Sequence, residues 1–430
     1  MRGRWGRFAL VAAAVWGLAA AASAQPTCSG VFLVDETLTS GARWRLCWEQ
    51  HTNAGVVYSE IHYTPPGGSE RLVLYDFRLA QIFVPYDDDG ARFHDITDYG
   101  AGGANLRDLG PGDCPGGTLL RTQGKDCVCR TVRARGSAYH AAGHALQGNE
   151  LSLFSVSAIG QYNYIPQLLF QDDGAIEVRM GATGALQRTS TQASNLPHGW
   201  PIDAGSLIGI SHMHNYYYRL DFDIGGTANG DVFERIDAVA DGSAATRTRT
   251  VTPFTVEGHD DVAPDALRSW RIRDDVITNA HGQPISYELV PLESGHRDVG
   301  PAGEPFTHHD IYVTKRKSNE LYASHNNFNA NEDITDFYDP PESLSGADLM
   351  VWYGLSFHHI PRDEDEARMH AHWNGFRLEP RNWNDAHPLA PPIVAVPAVS
   401  PSGLVVGIAL LAAAAGAALR RRPSRASARS

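Results

Sequence analysis

The stretch HMHNYYYRLDFD, at residues 212–223, is the part of this 430-residue chain that says most about its fold. From Tyr217 onward, polar and apolar side chains alternate, which is typical of a β-strand with one face against a core. Because successive side chains on a strand point to opposite faces, His212 and His214 lie on the same face. The stretch therefore predicts a strand that presents two imidazoles on one side.

The same short alternation recurs on both sides of this stretch, with Gly, Asn, Asp and Pro between the segments. It is clear at residues 71–75, 151–157, 175–180, 247–252 and 310–315. No long stretch has a helical period, apart from the two ends of the chain. We therefore predict an all-β fold, and specifically a large antiparallel β-sandwich.

The start of the chain has the features of a secretory signal. Arg2, Arg4 and Arg7 accompany an apolar run that ends near Ala22, and the small residues at 22–24 fit a cleavage site. Residues 1–24 are therefore predicted to be a signal peptide, followed by a short N-terminal segment at 25–42. This predicts an exported protein, which would be periplasmic, at the cell surface or secreted.

The end of the chain has a second membrane signal. Residues 389–402 are a proline-rich tether, and residues 403–430 are predicted to form an apolar helix that ends in an arginine cluster at 420–422. Two interpretations stay open. The segment is either a plain membrane anchor or, because it resembles bacterial sorting tails, a signal that a membrane protease removes. The tail is thus predicted to engage the membrane or a sorting protease.

The charge of the chain limits its partners. The formal net charge is −13, and no basic block occurs outside the tail. Nucleic acid is therefore not an expected partner. An acidic surface instead favours cationic substrates.

Five cysteines, at positions 28, 47, 114, 127 and 129, are compatible with export. In an exported protein, two disulfides and one remaining thiol are expected. Cys127 and Cys129 form a Cys-x-Cys pair, but no second thiol pair completes a zinc site.

Histidines supply the clearest candidate metal ligands. His212 and His214 form a half-site that suits copper and zinc alike. His370 and His372 have the same spacing and form a rival pair. A third candidate ligand, His359, begins the run HIPRDED at residues 359–365. Its neighbour His358 would face the other way on a strand.

A tyrosine upstream of these histidines completes a set of motifs. Tyr162 lies in GQYNY at residues 160–164, which is followed by DGAIEVRMGATG at residues 173–184. Together with the histidine motifs, this order resembles the catalytic domain of the copper amine oxidases. The resemblance implies that His212, His214 and His359 bind copper(II). It also implies that Tyr162 is the precursor of topaquinone, a quinone that these proteins make from their own tyrosine.

The resemblance implies an activity as well. Family members oxidise a small primary amine with O2 to an aldehyde, ammonia and hydrogen peroxide. Two neighbours of Tyr162 depart from the family pattern, since Gln161 replaces an asparagine and Asn163 an acid. A second hypothesis is therefore a degenerate relative that binds copper or amines without turnover. A third, suggested by the C-terminal tail, is a sandwich used in surface adhesion.

Further active-site residues follow from the same resemblance. The run FVPY at residues 83–86 matches a family motif whose tyrosine hydrogen-bonds the quinone, which implies this role for Tyr86. The run FHDITDYG at residues 93–100 implies that Asp95 is the catalytic base. Asp98 would be the second acid of that turn, and Phe93 would lie over the substrate channel.

The resemblance extends over residues 43–388, the predicted catalytic domain. It implies a homodimer, and the small N-terminal domains usual in the family are expected to be absent. It also implies a disulfide between Cys114 and Cys127. A second metal site, calcium-like because its donors are carboxylates and carbonyls, would comprise Asp221, Phe222, Asp223, Asp348 and Leu349.

Overall fold

The structure is a computed structural model that describes residues 25–141, 143–242, 245–292, 297, 299–326, 332–366 and 368–390. The predicted signal peptide (1–24) and C-terminal helix (403–430) lie outside the described residues, as does the tether (389–402) beyond its first two residues. Across the described ranges, no helix has the length and apolar character needed to cross a membrane.

Strands dominate the described ranges. In chain order they are β1 Leu33–Thr37, β2 Arg43–His51, β3 Gly55–Thr64, β4 Arg71–Pro85, β5 Arg92–His94, β6 Thr118–Thr122, β7 Lys125–Ala141, β8 His144–Phe154, β9 Ser157–Ile159, β10 Tyr162–Gln171, β11 Ile176–Gly184, β12 Thr189–Ser190, β13 Gly199–Ile202, β14 Leu207–Ile210, β15 His212–Phe222, β16 Asp231–Ala240, β17 Arg247–Pro253, β18 Gly258–Asp260, β19 Ser269–Thr278, β20 Pro284–Pro291, β21 Ile311–Lys315, β22 Leu349–His359 and β23 Met369–Arg381.

The helices of the described ranges are all short. One α-helical turn, α1, spans Asp95–Asp98. The 3₁₀ turns are Gly30–Phe32, Ala193–His198, Asp203–Gly205, Ile224–Gly226, Pro264–Ala266, Pro305–Thr307, Asp336–Tyr338 and Asp363–Asp365.

Two large antiparallel sheets form the body of the protein. The nine-stranded sheet has the order β1-β2-β3-β4-β15-β22-β21-β18, with β5 on β4. The eleven-stranded sheet has the order β17-β16-β19-β20-β23-β11-β10-β8-β7-β6, with β9 on β10. A small third sheet has the order β12-β14-β13. The predicted all-β antiparallel fold is confirmed.

An aromatic core joins the two large sheets face to face. The ring of Trp44 on β2 lies 5.1 Å from that of Phe170 on β10, and Tyr353 on β22 lies 4.9 Å from Phe376 on β23. Such ring pairs contribute about 0.5–1.5 kcal/mol beyond the burial of their area. The buried Trp44 indole also donates a hydrogen bond to the carbonyl of Gln171 at 2.9 Å. The described residues are thus arranged as the predicted β-sandwich.

Strand β15 is the inner strand on which the candidate site depends. It pairs with β4 on one side and β22 on the other, and all of its residues are buried. Its buried residues include polar ones such as His212, His214, Arg219 and Asp221. Because buried polar groups destabilise a fold unless they have partners, this strand requires a specific polar environment.

The segment at 25–42, predicted to precede the main domain, is attached to the nine-stranded sheet. Its strand β1 pairs with β2 over Leu33–Thr37. A disulfide between Cys28 and Cys47 also joins the segment to β2. The sheet therefore begins earlier in the chain than residue 43.

The predicted disulfide between Cys114 and Cys127 is wrong, because Cys114 bonds to Cys129 instead. Strands β6 and β7 form a hairpin whose pairing runs from Thr122 opposite Lys125 outward to Thr118 opposite Arg130. Cys114 precedes β6, so it lies beyond the open end of this hairpin. Cys129 is nearer that end than Cys127, which remains a buried free thiol.

Gly184, at the end of β11, lies where β10 and β11 approach each other closely beside Tyr162. It pairs with Tyr162 and has φ +115°, and a Cβ atom added there would lie 2.2 Å from the carbonyl oxygen of Gln161. We expect Gly184→Ala to lower the free energy of unfolding by at least about 2 kcal/mol, because backbone strain and the clash add. Urea denaturation measures the change.

Gly136→Ala is the matched control. Its φ is +90°, but a Cβ atom there would meet no atom within 4 Å. Gly136→Ala should lower the free energy of unfolding by a smaller amount, which comes from the left-handed backbone strain alone. Equal losses in the two variants would show that the backbone of Gln161 moves away without resistance.

Candidate active site

Two neighbouring strands bring three histidines together. His212 and His214 lie on the same face of β15, and His359 on β22 is the direct cross-strand partner of His212. The Nε2 atoms of His212 and His214 are 3.1 Å apart, and Nδ1 of His359 is 3.3 Å from Nε2 of His212. All three side chains are buried. Their nitrogens lie close enough together to hold one metal ion.

The burial of these imidazoles favours their neutral form. Burial, followed by the neighbouring His359, lowers the pKa of His212 to about 3. Burial also lowers the pKa of His359 to about 4, against the opposing effect of Asp365, and it lowers that of His214 well below its usual value. Neutral imidazole is the form that binds metals.

Hydrogen bonds at the outer edge orient two of the rings. Nδ1 of His212 lies 3.1 Å from the carbonyl of Ile210, and Nε2 of His359 lies 3.0 Å from Oδ2 of Asp365. Since each of these nitrogens donates to an oxygen, the other nitrogen of each ring presents its lone pair to the cluster. Oriented lone pairs of this kind are typical of a metal site.

The other candidate histidines lie outside this cluster. His358 points away from it, as strand alternation predicts, and pairs with Asp87 at 3.0 Å. His370 is exposed beside Arg362. His372 is half-buried, and its Nε2 lies 3.5 Å from Oδ1 of Asp365. The structure therefore favours the first His-x-His pair over its rival.

Tyr162 reaches the cluster from the facing sheet. It lies at the start of β10, and its hydroxyl oxygen is 2.9 Å from Nε2 of His212 and 3.2 Å from Nδ1 of His359. Its side chain is buried, and this burial raises the pKa of the phenol well above its usual value. A tyrosine oxygen is thus held at the same point toward which the imidazole nitrogens converge.

Asp95 lies close to Tyr162 but belongs to another element. It begins α1, directly after β5, and its side chain is 5% exposed. The Tyr164 hydroxyl donates a hydrogen bond to Oδ2 of Asp95 at 3.0 Å. Burial raises the pKa of Asp95 to about 7, although the bond from Tyr164 opposes this rise. Such a carboxyl group can exchange a proton near neutral pH.

One cavity of about 200 Å³ connects these groups. The Tyr86 ring stacks on the His212 ring at 4.5 Å, and Phe93 meets Tyr86 edge to face at 6.1 Å. The structure thus brings together the four residues predicted here, Tyr86, Phe93, Asp95 and Tyr162. The lining residues are Val84, Tyr86, Phe93, Asp95, Tyr99, Ile159, Gly160, Tyr162, Tyr164 and Gln187.

The far end of β15 carries a cluster of acids. Asp221 and Asp223 lie close enough to Asp348 for one cation to contact all three. Burial raises the pKa of Asp221 to about 7 and that of Asp223 to about 6, and Asp348 adds to both shifts. Phe222 and Leu349, the other two residues of the predicted set, are buried. Each is adjacent in sequence to one or two of these acids. The Arg316 guanidinium pairs with Asp221 at 2.5 Å and offsets part of the negative charge.

Sequence reasoning missed several residues of the site. Asp365 orients His359, and Tyr164 donates to Asp95. Gln187 and Tyr99 line the cavity. Asp365 could have been found from its place six residues after His359. Tyr164 could have been found from its place two residues after Tyr162, on the same strand face, and Tyr99 from its place in the run that contains Asp95. Gln187 reaches the cavity from a separate segment, so no local pattern marks it.

Comparison with known proteins agrees with this geometry. Residues 132–394, more than half of the chain, match the family model described as "Copper amine oxidase, enzyme domain". The chain is 25% identical to primary amine oxidase 2 of Arabidopsis thaliana, over 83% of this chain and 59% of that protein. It is also 25% identical to the primary amine oxidase of Klebsiella aerogenes, over 79% of this chain and 52% of that protein.

Solved structures share the fold. The copper-containing benzylamine oxidase from Hansenula polymorpha superposes with a TM-score of 0.71 at 21% identity, over 82% of this chain and 62% of that one. The chain thus spans little more than half the length of the relatives that it matches. The match of the family model, together with the buried histidines and tyrosine, shows that this chain belongs to the copper amine oxidase family.

Proposed function

We propose that this protein is a copper-containing primary-amine oxidase that uses a topaquinone formed from Tyr162. The reaction would convert a primary amine, O2 and water to an aldehyde, ammonia and hydrogen peroxide. The observation that carries the proposal is the position of the Tyr162 hydroxyl, within 3.2 Å of nitrogens from two of three clustered, buried histidines. Relatives that are primary amine oxidases support it.

The histidine cluster fits copper(II). His212 and His359 present lone pairs inward, because their outer nitrogens donate to Ile210 and Asp365. Nε2 of His214 lies 3.1 Å from Nε2 of His212, an approach that a cation between the two lone pairs would stabilise. Imidazole is a preferred ligand of copper. His212, His214 and His359 would therefore hold the metal, and Asp365 would orient the third ligand.

Copper and dioxygen would supply the oxidation of the Tyr162 ring to a quinone, and the quinone would supply an electrophilic carbonyl and a two-electron acceptor for the amine. The chain itself positions this ring. Tyr164 stacks on Tyr162 at 6.0 Å with an interplanar angle of 17°, and Tyr86 closes the cavity next to His212. Burial of Tyr162 also keeps bulk water away from the reacting carbon.

Asp95 would act as the general base. It lines the same cavity as Tyr162, so an amine bound in this cavity would be within reach of both side chains. Its ionised carboxylate would take the proton from the carbon next to the amine nitrogen. Because burial raises its pKa to about 7, Asp95 is a stronger base than an exposed aspartate yet is still ionised at slightly alkaline pH.

We further propose that Asp221, Asp223 and Asp348 hold a calcium-like cation, with the carbonyls of Phe222 and Leu349. One carboxylate oxygen of each acid is buried without a hydrogen-bond partner in the described structure. Hard carboxylate oxygens suit calcium. Because Arg316 pairs with Asp221, the cation and the Arg316 guanidinium would both contact this carboxylate.

Export and a homodimeric assembly are also part of the proposal. Two disulfides support an oxidising compartment. The alternative function is a degenerate relative that binds copper or amines without turnover. The replacements Gln161 and Asn163, next to Tyr162, favour this alternative, and formation of the quinone discriminates between the two.

The first prediction concerns copper. His212→Ala, His214→Ala and His359→Ala should each abolish stoichiometric copper binding, because each removes one of the three imidazoles that converge on one point. Asp365→Asn should weaken binding by about 10- to 100-fold through loss of ligand orientation. Metal analysis after dialysis measures the copper content. His370→Ala is the control and should retain copper. Copper lost from His370→Ala but kept in His212→Ala would contradict this ligand set.

The second prediction concerns the cofactor. Copper-free protein that is given copper and air should develop a visible quinone band and react with phenylhydrazine. Tyr162→Phe should do neither while it still binds copper, because the histidines remain. Tyr164→Phe, on the same strand face, should still form the quinone. A wild-type protein that stays colourless would favour the degenerate relative.

The third prediction concerns the base. Asp95→Asn should lower turnover by about 10²- to 10⁴-fold while the quinone still forms. The wild-type kcat/KM should fall about tenfold per pH unit below pH 7, where Asp95 becomes protonated, and the variant should lack this limb. Asp98→Asn, an exposed neighbour, should change turnover little. Near-normal turnover in Asp95→Asn together with loss in Asp98→Asn would assign the base to Asp98.

The raised pKa of Asp95 also has a consequence for stability. The folded state binds this proton more tightly than the unfolded state, whose carboxyl has its ordinary pKa near 3.8. The contribution of Asp95 to stability is therefore full below about pH 4 and is lost as the pH rises toward 7. Relative to wild type, Asp95→Asn should thus be more stable at pH 8 than at pH 4.

A further inference from the structure

The walls of the active-site cavity have a composition that selects among amines. Apart from Asp95 and Gln187, they consist of aliphatic side chains, the backbone of Gly160 and aromatic rings. We infer that the cavity accepts a small aromatic monoamine, with a ring joined to the amine by one or two carbons, and discriminates against diamines and polyamines. This inference rests on the proposed amine oxidation.

The aromatic walls offer both ring faces and ring edges. Phe93 meets Tyr86 at an interplanar angle of 89° and Tyr99 at 62°, with centroids 6.1 and 6.4 Å apart. Val84 and Ile159 add aliphatic surface. Edge-to-face and offset contacts with a further ring contribute about 0.5–1.5 kcal/mol per pair beyond burial. A substrate ring gains these contacts, whereas an alkyl chain gains only burial.

The size of the cavity supports a single ring. A dry apolar cavity of about 150 Å³ is large enough to bind benzene. At about 200 Å³, this cavity has room for a benzene ring and a short aminoalkyl chain. A polyamine of ten or more heavy atoms in extended form would instead continue past Tyr99 into solvent.

The charge of the cavity disfavours a second ammonium group. Asp95 is the only acid among the residues that line it. The acids next to lining residues in the sequence have other partners. Asp88 pairs with Arg188 at 2.7 Å and Asp87 with His358 at 3.0 Å. Asp98, which precedes Tyr99, is hydrogen-bonded to Asn326. Both ammonium groups of a diamine are charged near neutral pH. The distal one would enter an apolar pocket without a partner, which strongly opposes binding.

Tyr99 is the residue at the mouth that would determine specificity. Its side chain is 55% exposed and lies against Phe93, so it forms the outer wall of the cavity. Its ring has no role in the chemistry proposed for Asp95 or Tyr162. Tyr99→Ala should therefore change the KM of aromatic amines more than their kcat.

Steady-state kinetics of the copper-loaded protein test the inference with three amines. We expect kcat/KM for 2-phenylethylamine to exceed that for butylamine by about tenfold, as one or two ring contacts imply. It should exceed that for butane-1,4-diamine by at least about 100-fold, because of the unpaired charge. A diamine oxidised as well as 2-phenylethylamine would overturn the inference but leave the oxidase function intact.

The variants locate the preference in the cavity wall. Tyr99→Ala should raise the KM for 2-phenylethylamine by about five- to tenfold, with loss of one ring contact. The KM for butylamine should rise by a smaller factor, because an alkyl chain loses only burial. Trp200→Ala is the matched control, since Trp200 is 57% exposed on the small third sheet. Equal changes in KM for both amines in Tyr99→Ala would contradict a ring contact.

Binding without turnover separates the two proposals. Tyr162→Phe cannot form the quinone, so calorimetry on this variant measures the cavity alone. It should bind 2-phenylethylamine at least about tenfold more tightly than butane-1,4-diamine. If Tyr162→Phe shows this preference but the wild-type protein oxidises none of the amines, the oxidase proposal is refuted and the cavity inference is kept. Absence of any preference would refute the cavity inference.

Discussion

The structure depends on the burial of a polar strand at the centre of a sheet. Every side chain of β15 is buried, including two histidines, an arginine and an aspartate. Such a strand is stable only where partners satisfy its polar groups. Arg219, for example, donates to Asp76 at 2.7 Å and to the carbonyl of Glu320 at 3.0 Å. The facing sheet and the loops of the candidate site supply further partners for these polar groups.

The two ends of β15 meet the requirement in different ways. At the His212 end, the polar groups are nitrogens from two strands and a phenol from the opposite sheet, a set that favours a soft or borderline metal. At the Asp221 end, they are carboxylates, a set that favours a hard cation. Because one buried strand joins both ends, a cation bound at the acid end would help to fix the strand that carries two of the histidines.

Burial also adjusts the acid–base properties of the site. The same dry interior lowers the pKa values of the histidines, which keeps them neutral, and raises that of Asp95. A neutral imidazole is a metal ligand, and a carboxyl group with a pKa near 7 is an effective base. One physical cause, the removal of water between two sheets, therefore prepares two chemically different groups.

The sequence by itself determined the features that depend on local periodicity and on motif order. Alternation of polar and apolar residues predicted the strands. It also predicted that His212 and His214 share one face and that His358 faces away from His359. The motif order indicated Tyr162, His359, Asp95 and the family. The tertiary structure alone decided which distant groups meet. The hairpin register placed Cys129, not Cys127, beside Cys114, and sheet packing brought Tyr164 to Asp95. The first contact depends on the register of a local hairpin and the second on packing between segments far apart in the chain, and neither leaves a periodic signal in the sequence.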